Sequence, residues 1–513
     1  MPGSRCSRRW AGPALAIAGG IATGAAFPGT SWWPLAPVGV ALLLVALNTD
    51  SLAAAFRAGI AFGLAFFLPH LRWAQEAVGE PGPWLALSAL EALAVSGFSV
   101  AWVWTKRAAL LRRHASVRVA VASVLWVASE QVRSSVPFGG MPWGLLAFSQ
   151  TDGPLVRLAS VGGTILVTGV VVALGGVLAD AVAALRTSAR SGLTTRGLAV
   201  VALVTASMGI PLPTAPQTGS ITVAAVQGDV PTDGADATSQ ARAVAANHVA
   251  GTRAILETVL PWSVDLIVWP ESASDIDPRT DPSLGRAVQA VTDRARAPLL
   301  MGTQRFAEAG RYNDYVLWEP SRGATAVYTK RRPVPFGEYI PYRAFFRRLS
   351  PAVDVVTTDM VAGRGSGLLE VPVSRLRRNV AVGVAICFEV AYDELVRESV
   401  RAGAELIVVP TNNASFGRTQ ESTQQLAMSR FRAVEHGRAV VQISTVGVSA
   451  LIAPDGREID RTRLFTADQM VASLPLRTSL TISDRVGAWP ARIVDLAALA
   501  SLVLRAVARR RTR

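Results

Sequence analysis

Apolar residues are spread unevenly along this chain. Hydrophobic runs at 11–29, 34–49, 52–70, 84–105, 117–134, 155–184 and 196–213 are separated by short connections, and an eighth covers 487–506. Most approach the ~20 residues that cross a ~30 Å hydrocarbon layer. The second run is short, and the sixth is long enough to include a re-entrant or interfacial piece. The pattern predicts eight membrane-spanning helices. Between the seventh and eighth, over 219–476, the period changes. Short apolar runs at 221–227, 265–269, 298–302, 314–318, 324–328, 379–386, 406–410, 440–444 and 448–452 read as strands. Stretches at 239–260, 284–295, 392–402 and 422–436 read as helices. Strands alternating with helices predict an α/β layered domain. The expected organisation is a seven-helix membrane part over 1–217, a folded polar domain over 218–480, and a last span with a basic tail over 481–513. A Pro-, Thr- and Gly-containing stretch at 211–220 reads as the linker into the polar domain.

Composition agrees with a membrane protein. Half of the 513 residues are hydrophobic, only 17% are charged, and mean hydropathy is +0.33. The formal charge of +14 raises the possibility of a nucleic-acid partner, but the positions of the arginines argue otherwise. With the N-terminus cytoplasmic, seventeen Lys and Arg fall in inside segments and three (Arg72, Arg133 and Arg157) in the short outside connections. That bias is the one that sets orientation in a bilayer. It predicts a multi-pass protein of the cell membrane, both termini cytoplasmic and the polar domain outside. The basic pI then reflects topology, and no nucleic-acid partner is expected. The first run has a basic start and small residues at Ala25 and Ala26, as a signal peptide would. Further spans follow at once, which favours a retained anchor. Glu91 and Glu130 fall in or near spans, where a carboxylate is costly. A structural pair between Glu130 and Arg133 is the expected reading, with Glu91 facing protein.

The polar domain holds a single cysteine, Cys387; the other, Cys6, lies in the N-terminal tail, on the opposite side of the predicted membrane. An unpaired thiol at the end of an apolar strand is a candidate nucleophile, or simply a small buried hydrophobe. Glu271 and Lys330 also stand just beyond apolar strands, after Trp269-Pro270 and Tyr328-Thr329. Functional groups of α/β sheets collect at such strand ends. A carboxylate, an ammonium and a thiol supply a base, an oxyanion partner and a nucleophile without histidine or metal. The four histidines, His70, His114, His248 and His436, lack metal-ligand spacing, and no metal or cofactor is expected. Taken singly, each residue also has a bland reading: a helix-start carboxylate, a member of a solvated Lys-Arg-Arg run, and core filler.

Six short motifs occur together: Val226-Gln227-Gly228, Trp269-Pro270-Glu271-Ser272, Tyr328-Thr329-Lys330, Pro335-Phe336-Gly337-Glu338-Tyr339-Ile340-Pro341, Ile386-Cys387-Phe388-Glu389 and Asn412-Asn413-Ala414-Ser415-Phe416-Gly417. In this order they resemble the carbon–nitrogen hydrolase (nitrilase) superfamily, whose Glu-Lys-Cys triad sits at strand ends of an αββα sandwich. The membrane half, with Trp33-Pro34-Leu35-Ala36, the segment 59–67 followed by Trp73, and Pro142-Trp143-Gly144, resembles the membrane-embedded branch, the apolipoprotein N-acyltransferases. The resemblance covers nearly the whole chain. It implies Glu271 as general base, Cys387 as nucleophile and Lys330 as cationic partner of the intermediate. It implies Glu338 as the group that orients the lysine, Glu389 as a supporting carboxylate, and the Phe388 backbone N–H as an oxyanion donor. Two positions depart from the family pattern: Phe388 stands where Tyr is common, and Asp229 where Asn is expected, with no tryptophan soon after.

The reaction so implied moves an acyl chain from a phospholipid to Cys387 and then to the N-terminal amine of a diacylated apolipoprotein, in a monomeric enzyme. Segments 335–342 and 344–362, with Phe345, Phe346 and Leu349 beside Arg343, Arg347 and Arg348, read as a lid or lipid-facing surface, or as an ordinary surface helix. Two rivals share these residues: a membrane-tethered amidase of a small C–N compound, and an inactive scaffold that binds lipoproteins.

Overall fold

The computed structural model describes residues 3–186, 193–231 and 237–511. Arg190 and Arg513, counted above in the inside charge, lie outside the described residues, as do the side chains of Arg5, Cys6, Arg8, Arg9, Arg186, Arg196 and Arg511. The chain forms two compact units. One takes in the residues through Gln75, Gly79–Pro211 and those from Val486 onward; the other is Leu212–Arg485 with Glu76–Val78.

The first unit is helical. Its long helices are α1 (Gly3–Ala25), α2 (Leu35–Ala46), α3 (Leu52–His70), α4 (Pro81–Thr105), α5 (Ala115–Arg133), α6 (Ala159–Arg186), α7 (Leu193–Met208) and α12 (Trp489–Arg511). Among the described residues, three segments are both long and apolar enough to cross a membrane: Leu52–His70, Pro81–Thr105 and Pro154–Leu185. This is fewer than the eight expected from the apolar runs. Gly12–Ala25, Leu35–Ala46 and Gly197–Met208 are apolar but shorter. At 1.5 Å per residue, the twelve residues of α2 reach about 18 Å. Small residues let α3 and α4 touch backbone to backbone. A Cβ added at Gly59 would lie 2.5 Å from the Ser96 Cα, and one at Gly63 2.5 Å from the Ala92 Cα. The Gly59-x-x-x-Gly63 spacing therefore makes a contact no larger residue permits. Inside this unit Arg133 pairs at 2.9 Å with Glu91 and at 3.9 Å with Glu130, so the expected Glu130–Arg133 pair is a triad with Glu91 the nearer partner. Glu130 also accepts from Trp126 Nε1, the Leu146 N–H and Thr168 Oγ1. Arg133 further donates to the carbonyls of Trp143 and Gly144.

The second unit is a sandwich of two six-stranded sheets. In the first, β1 (Ser220–Gln227), β2 (Leu266–Val268) and β3 (Leu299–Ala307) run parallel, followed by antiparallel β4 (Gly310–Glu319) and β5 (Gly323–Thr329). The second holds β6 (Leu368–Val373), β7 (Arg378–Val384), β8 (Leu406–Thr411), β9 (Ala439–Ser444), β10 (Ala450–Ile452) and β11 (Glu458–Arg461), with β7, β8 and β9 parallel. Strand β12 (Asp468–Pro475) returns antiparallel to β1. Helices α8 (Ala237–Thr258) and α9 (Pro282–Ala295) cover one sheet; α10 (Asp393–Arg401) and α11 (Glu421–His436) cover the other. Residues alternate between layers. Ala224 and Val226 of β1 join Ile267, Trp269, Leu299, Met301 and Val316 in the core beneath α8 and α9, while Val223 and Ala225 point the opposite way. Each inner strand is buried on both faces, which is why it reads as an unbroken apolar run. Strands β6, β11 and β12 escape that reading. They lie at or beside sheet edges and are half solvated, so only Met470 and Leu474 of β12 are fully buried.

Candidate active site

The three strand ends singled out by sequence meet in the second unit. Lys330 follows β5 and is fully buried, its Nζ 3.1 Å from Glu271 Oε1 and 2.6 Å from Glu338 Oε1. Glu338 is in turn fixed by the Val334 N–H at 2.7 Å. Burial alone lowers a lysine pKa, yet the carboxylates of Glu271 and Glu338 outweigh it and hold the Lys330 ammonium well above its ordinary value. Glu271 also receives Asn313 Nδ2 at 2.6 Å and the Asn412 N–H at 2.9 Å. A carboxylate with these three donors has one orientation.

Cys387 stands at the end of β7, where the chain turns into a short 3₁₀ segment, Cys387–Ala391. Its φ of 57° is in the left-handed region that a side chain rarely adopts. Such strain at a strand-to-helix turn presents the side chain at a sharp elbow. The thiol is buried, with Thr411 Oγ1 3.3 Å and Gln425 Nε2 3.6 Å from Sγ. Burial, reinforced by the charge of Glu271 and opposed by that of Lys330, pushes the Cys387 thiol well above the usual range. A thiol in such a setting becomes a nucleophile only when a base takes its proton.

Glu389 is fully buried and ties the cysteine turn to the lysine strand. It accepts from the N–H groups of Arg331 at 2.6 Å, Arg332 at 3.0 Å and Ile386 at 2.8 Å, and from Tyr328 Oη at 2.9 Å. Burial raises its pKa against the pull of Lys330 and these donors. Phe388 is buried, its ring centroid 5.9 Å from that of Phe416. Asp229 adopts φ 63° and turns its carboxylate onto the Val230 N–H at 2.9 Å.

Four contributors to this site went unnoticed in the sequence. Thr411 ends β8 and satisfies the same strand-end rule that singled out the other three. Asn313 lies one residue ahead of the predicted run 314–318. Tyr328 was read only as part of a motif. Gln425 is on a helix, where no strand-end signal exists. The segment after Lys330 divides its aromatics. Phe346 packs on Phe336 and against Ile340, Val353 and Val356, while Tyr342, Phe345 and Leu349 are exposed. Arg347 pairs with Asp354 at 3.0 Å, and Arg343 with Asp359. No cluster of His, Cys, Asp and Glu able to hold a metal ion occurs among the described residues.

Comparison with known sequences places both units. The family described as carbon-nitrogen hydrolase matches residues 222–479, and that described as the apolipoprotein N-acyltransferase N-terminal domain matches 19–177. The chain is 36% identical to the apolipoprotein N-acyltransferase of Mycolicibacterium smegmatis, over 95% of this chain and 84% of that protein. It is 30% identical to the apolipoprotein N-acyltransferase of Azotobacter vinelandii, over 96% and 94% respectively. Among solved structures, an amidase of the nitrilase superfamily from Nesterenkonia AN1 aligns with 51% of this chain and 94% of its own, at 15% identity and a TM-score of 0.38. With both halves matched and a relative of this identity along nearly its full length, the chain belongs to the apolipoprotein N-acyltransferase family, a membrane branch of the carbon–nitrogen hydrolases.

Proposed function

We propose that the chain transfers an acyl group from a membrane phospholipid, through a thioester on Cys387, to the N-terminal amine of diacylglyceryl-cysteine apolipoproteins. The observation that carries this reading is the buried Lys330, bonded to both Glu271 and Glu338, whose positive charge acts on the buried Cys387 thiol. Glu271 takes the thiol proton as Sγ attacks the ester carbonyl. The oxyanion is stabilised by the Lys330 ammonium and the Phe388 backbone N–H. Lyso-phospholipid leaves with the proton returned from Glu271. In the second half-reaction the acceptor amine attacks the thioester, and Glu271 serves again as base. Glu338 holds the lysine, and Glu389 holds the nucleophile turn against the lysine strand.

The membrane arrangement belongs to the same proposal: eight crossings, with 218–480 on the extracytoplasmic face and both termini cytoplasmic. The Lys and Arg bias of the connections supports it. The shorter apolar helices then cross with the bilayer locally thinned around them. Exposed Phe345 and Leu349, beside Arg343, Arg347 and Arg348, suit a lipid headgroup surface. The enzyme works as a monomer.

Incubation of the purified protein with phospholipid alone, followed by peptide mass spectrometry, tests the chemistry. An acyl mass on the Cys387 peptide, removed by neutral hydroxylamine, absent in C387S and passed to a diacylated lipopeptide, is the expected result. Hydrolysis of a small amide with no acyl adduct would replace this reading with the amidase. Labelling of single cysteines placed in the connections, from either side of sealed vesicles, tests the topology. Modification of a site in 218–480 from the cytoplasmic side would overturn it.

A further inference from the structure

Four buried or half-buried carboxylates belong to the site of Lys330 and Cys387, and one of them is unlike the rest. Glu271, Glu338 and Glu389 each accept at least two hydrogen bonds from Lys330, backbone N–H groups or side chains. Glu421 is fully buried and neither of its oxygens meets a donor in hydrogen-bonding geometry. The adjacent Ser422 hydroxyl, itself buried without a partner of such geometry, offsets that burial in part. Glu421 opens α11, one helical turn before Gln425, whose amide nitrogen is 3.6 Å from Cys387 Sγ. Residues four apart share a helix face, and Glu421 acts electrostatically on the same thiol, raising its pKa. Burial together with Glu271 pushes the Glu421 carboxyl well above the usual carboxylate range.

An unpaired buried carboxyl is costly unless a cation arrives to meet it. The site's own ammonium, Lys330, is already shared by Glu271 and Glu338. The reaction set out above brings a second: the acceptor's α-amine, with an ordinary pKa of about 7.7–8.0, arrives mostly protonated. Resting on that reading, we propose that Glu421 is the subsite for the acceptor's α-amino group, receiving it as an ammonium beside the Cys387 thioester. Docking of the ammonium turns Glu421 to its carboxylate, the proton it held passing to solvent. Glu271 then removes one ammonium proton, the nitrogen bonds to the thioester carbon, and the C–Sγ bond breaks with its electron pair returning to sulfur. A second nitrogen proton ends on Sγ, the amide keeps the third, and the proton on Glu271 passes to solvent. Glu421 selects acceptors that carry a free amine and contributes little to the phospholipid half-reaction.

The test separates the two half-reactions in E421Q and in E421M, which fills a similar volume without charge. The expected result at pH 7 is a rise of about tenfold or more in KM for a synthetic diacylated lipopeptide, with a much smaller effect on thioester formation from phospholipid. The gap between wild type and variant closes above pH ~9, where the free amine predominates, and E421D recovers part of the loss. Equal slowing of both half-reactions, an unchanged KM, or a gap that persists at high pH would each overturn the proposal. Absence of any thioester in the wild type is a different failure: it removes the acyltransferase reading, and this subsite with it.

Discussion

Asn313 donates its side-chain amide to Glu271 at 2.6 Å, from β4, which lies two strands over from the β2 that leads into the glutamate. The bond aims a carboxylate that otherwise has only Lys330 and one backbone N–H to hold it. Replacing Asn313 by alanine is expected to slow thioester formation about ten- to a hundredfold, a barrier increase of roughly 1.4–2.8 kcal/mol, with the fold retained. Asn313→Asp sets a second carboxylate against the first and is expected to cost more. Rapid-quench measurement of Cys387 acylation, beside a thermal melt of each variant, decides between loss of aim and loss of fold.

Glu389 has four donors and Tyr328 supplies one of them. Removing the carboxylate in Glu389→Ala leaves the N–H groups of Arg331 and Arg332, just past β5, and the buried N–H of Ile386 without their acceptor, at about 1–3 kcal/mol for each buried unsatisfied group. Large destabilisation and loss of acyl transfer are expected together. Tyr328→Phe removes a single donor and should keep most stability and a measurable rate. If chemical denaturation gives Glu389→Ala the stability of the wild type, the Glu389 clamp has no energetic weight.

Gly302 lies where β3 passes the residue after Trp269-Pro270. A Cβ there would sit 2.6 Å from the Pro270 oxygen and 2.7 Å from the Glu271 Cα. Contacts this close force backbone to move, so Gly302→Ala is expected to displace Glu271 and reduce kcat at least tenfold. A variant with wild-type kcat would show that the sheet absorbs the methyl elsewhere.

His248 is buried against the Gly228 turn, where its Nε2 accepts the Gly228 N–H at 3.2 Å and its Nδ1 donates to the Val244 carbonyl at 2.7 Å. Burial lowers its pKa from 6.5 to about 4. Because the folded value lies below the unfolded one, its contribution is complete above pH ~6.5 and is lost as the pH falls toward 4, at most roughly 3 kcal/mol. The melting temperature of the protein is expected to fall over that window, and less steeply in His248→Gln, which keeps two hydrogen-bonding ends without the titration. Parallel pH profiles for the two proteins would place the acid sensitivity elsewhere.

The sequence alone carried the layered α/β class, the inner strands and the Glu271, Lys330 and Cys387 positions, because each of these is local. A strand buried on both faces must be apolar along its length, and a polar group just past it is visible against that background. The eight apolar runs were equally visible, but a run of apolar residues is not a helix of spanning length. Turn residues such as Pro34 and the Gly162-Gly163 kink decide where regular helix begins and breaks. Edge strands such as β6 and β12 lack the continuous apolar signature because solvent covers one side of them.

What only the tertiary structure decided is partnership. That Lys330 is shared by two carboxylates 59 and 8 residues away, that Asn313 aims Glu271, and that Glu389 serves the nucleophile turn and the lysine strand at once all follow from strand order. Glu421 shows the difference most plainly. In the sequence it is an unremarked acidic residue at the start of a helix, where charge complements the dipole. Folded, it is a buried carboxyl whose oxygens meet no donor in hydrogen-bonding geometry and whose charge bears on the thiol, because burial and partnership are properties of packing that no local pattern encodes.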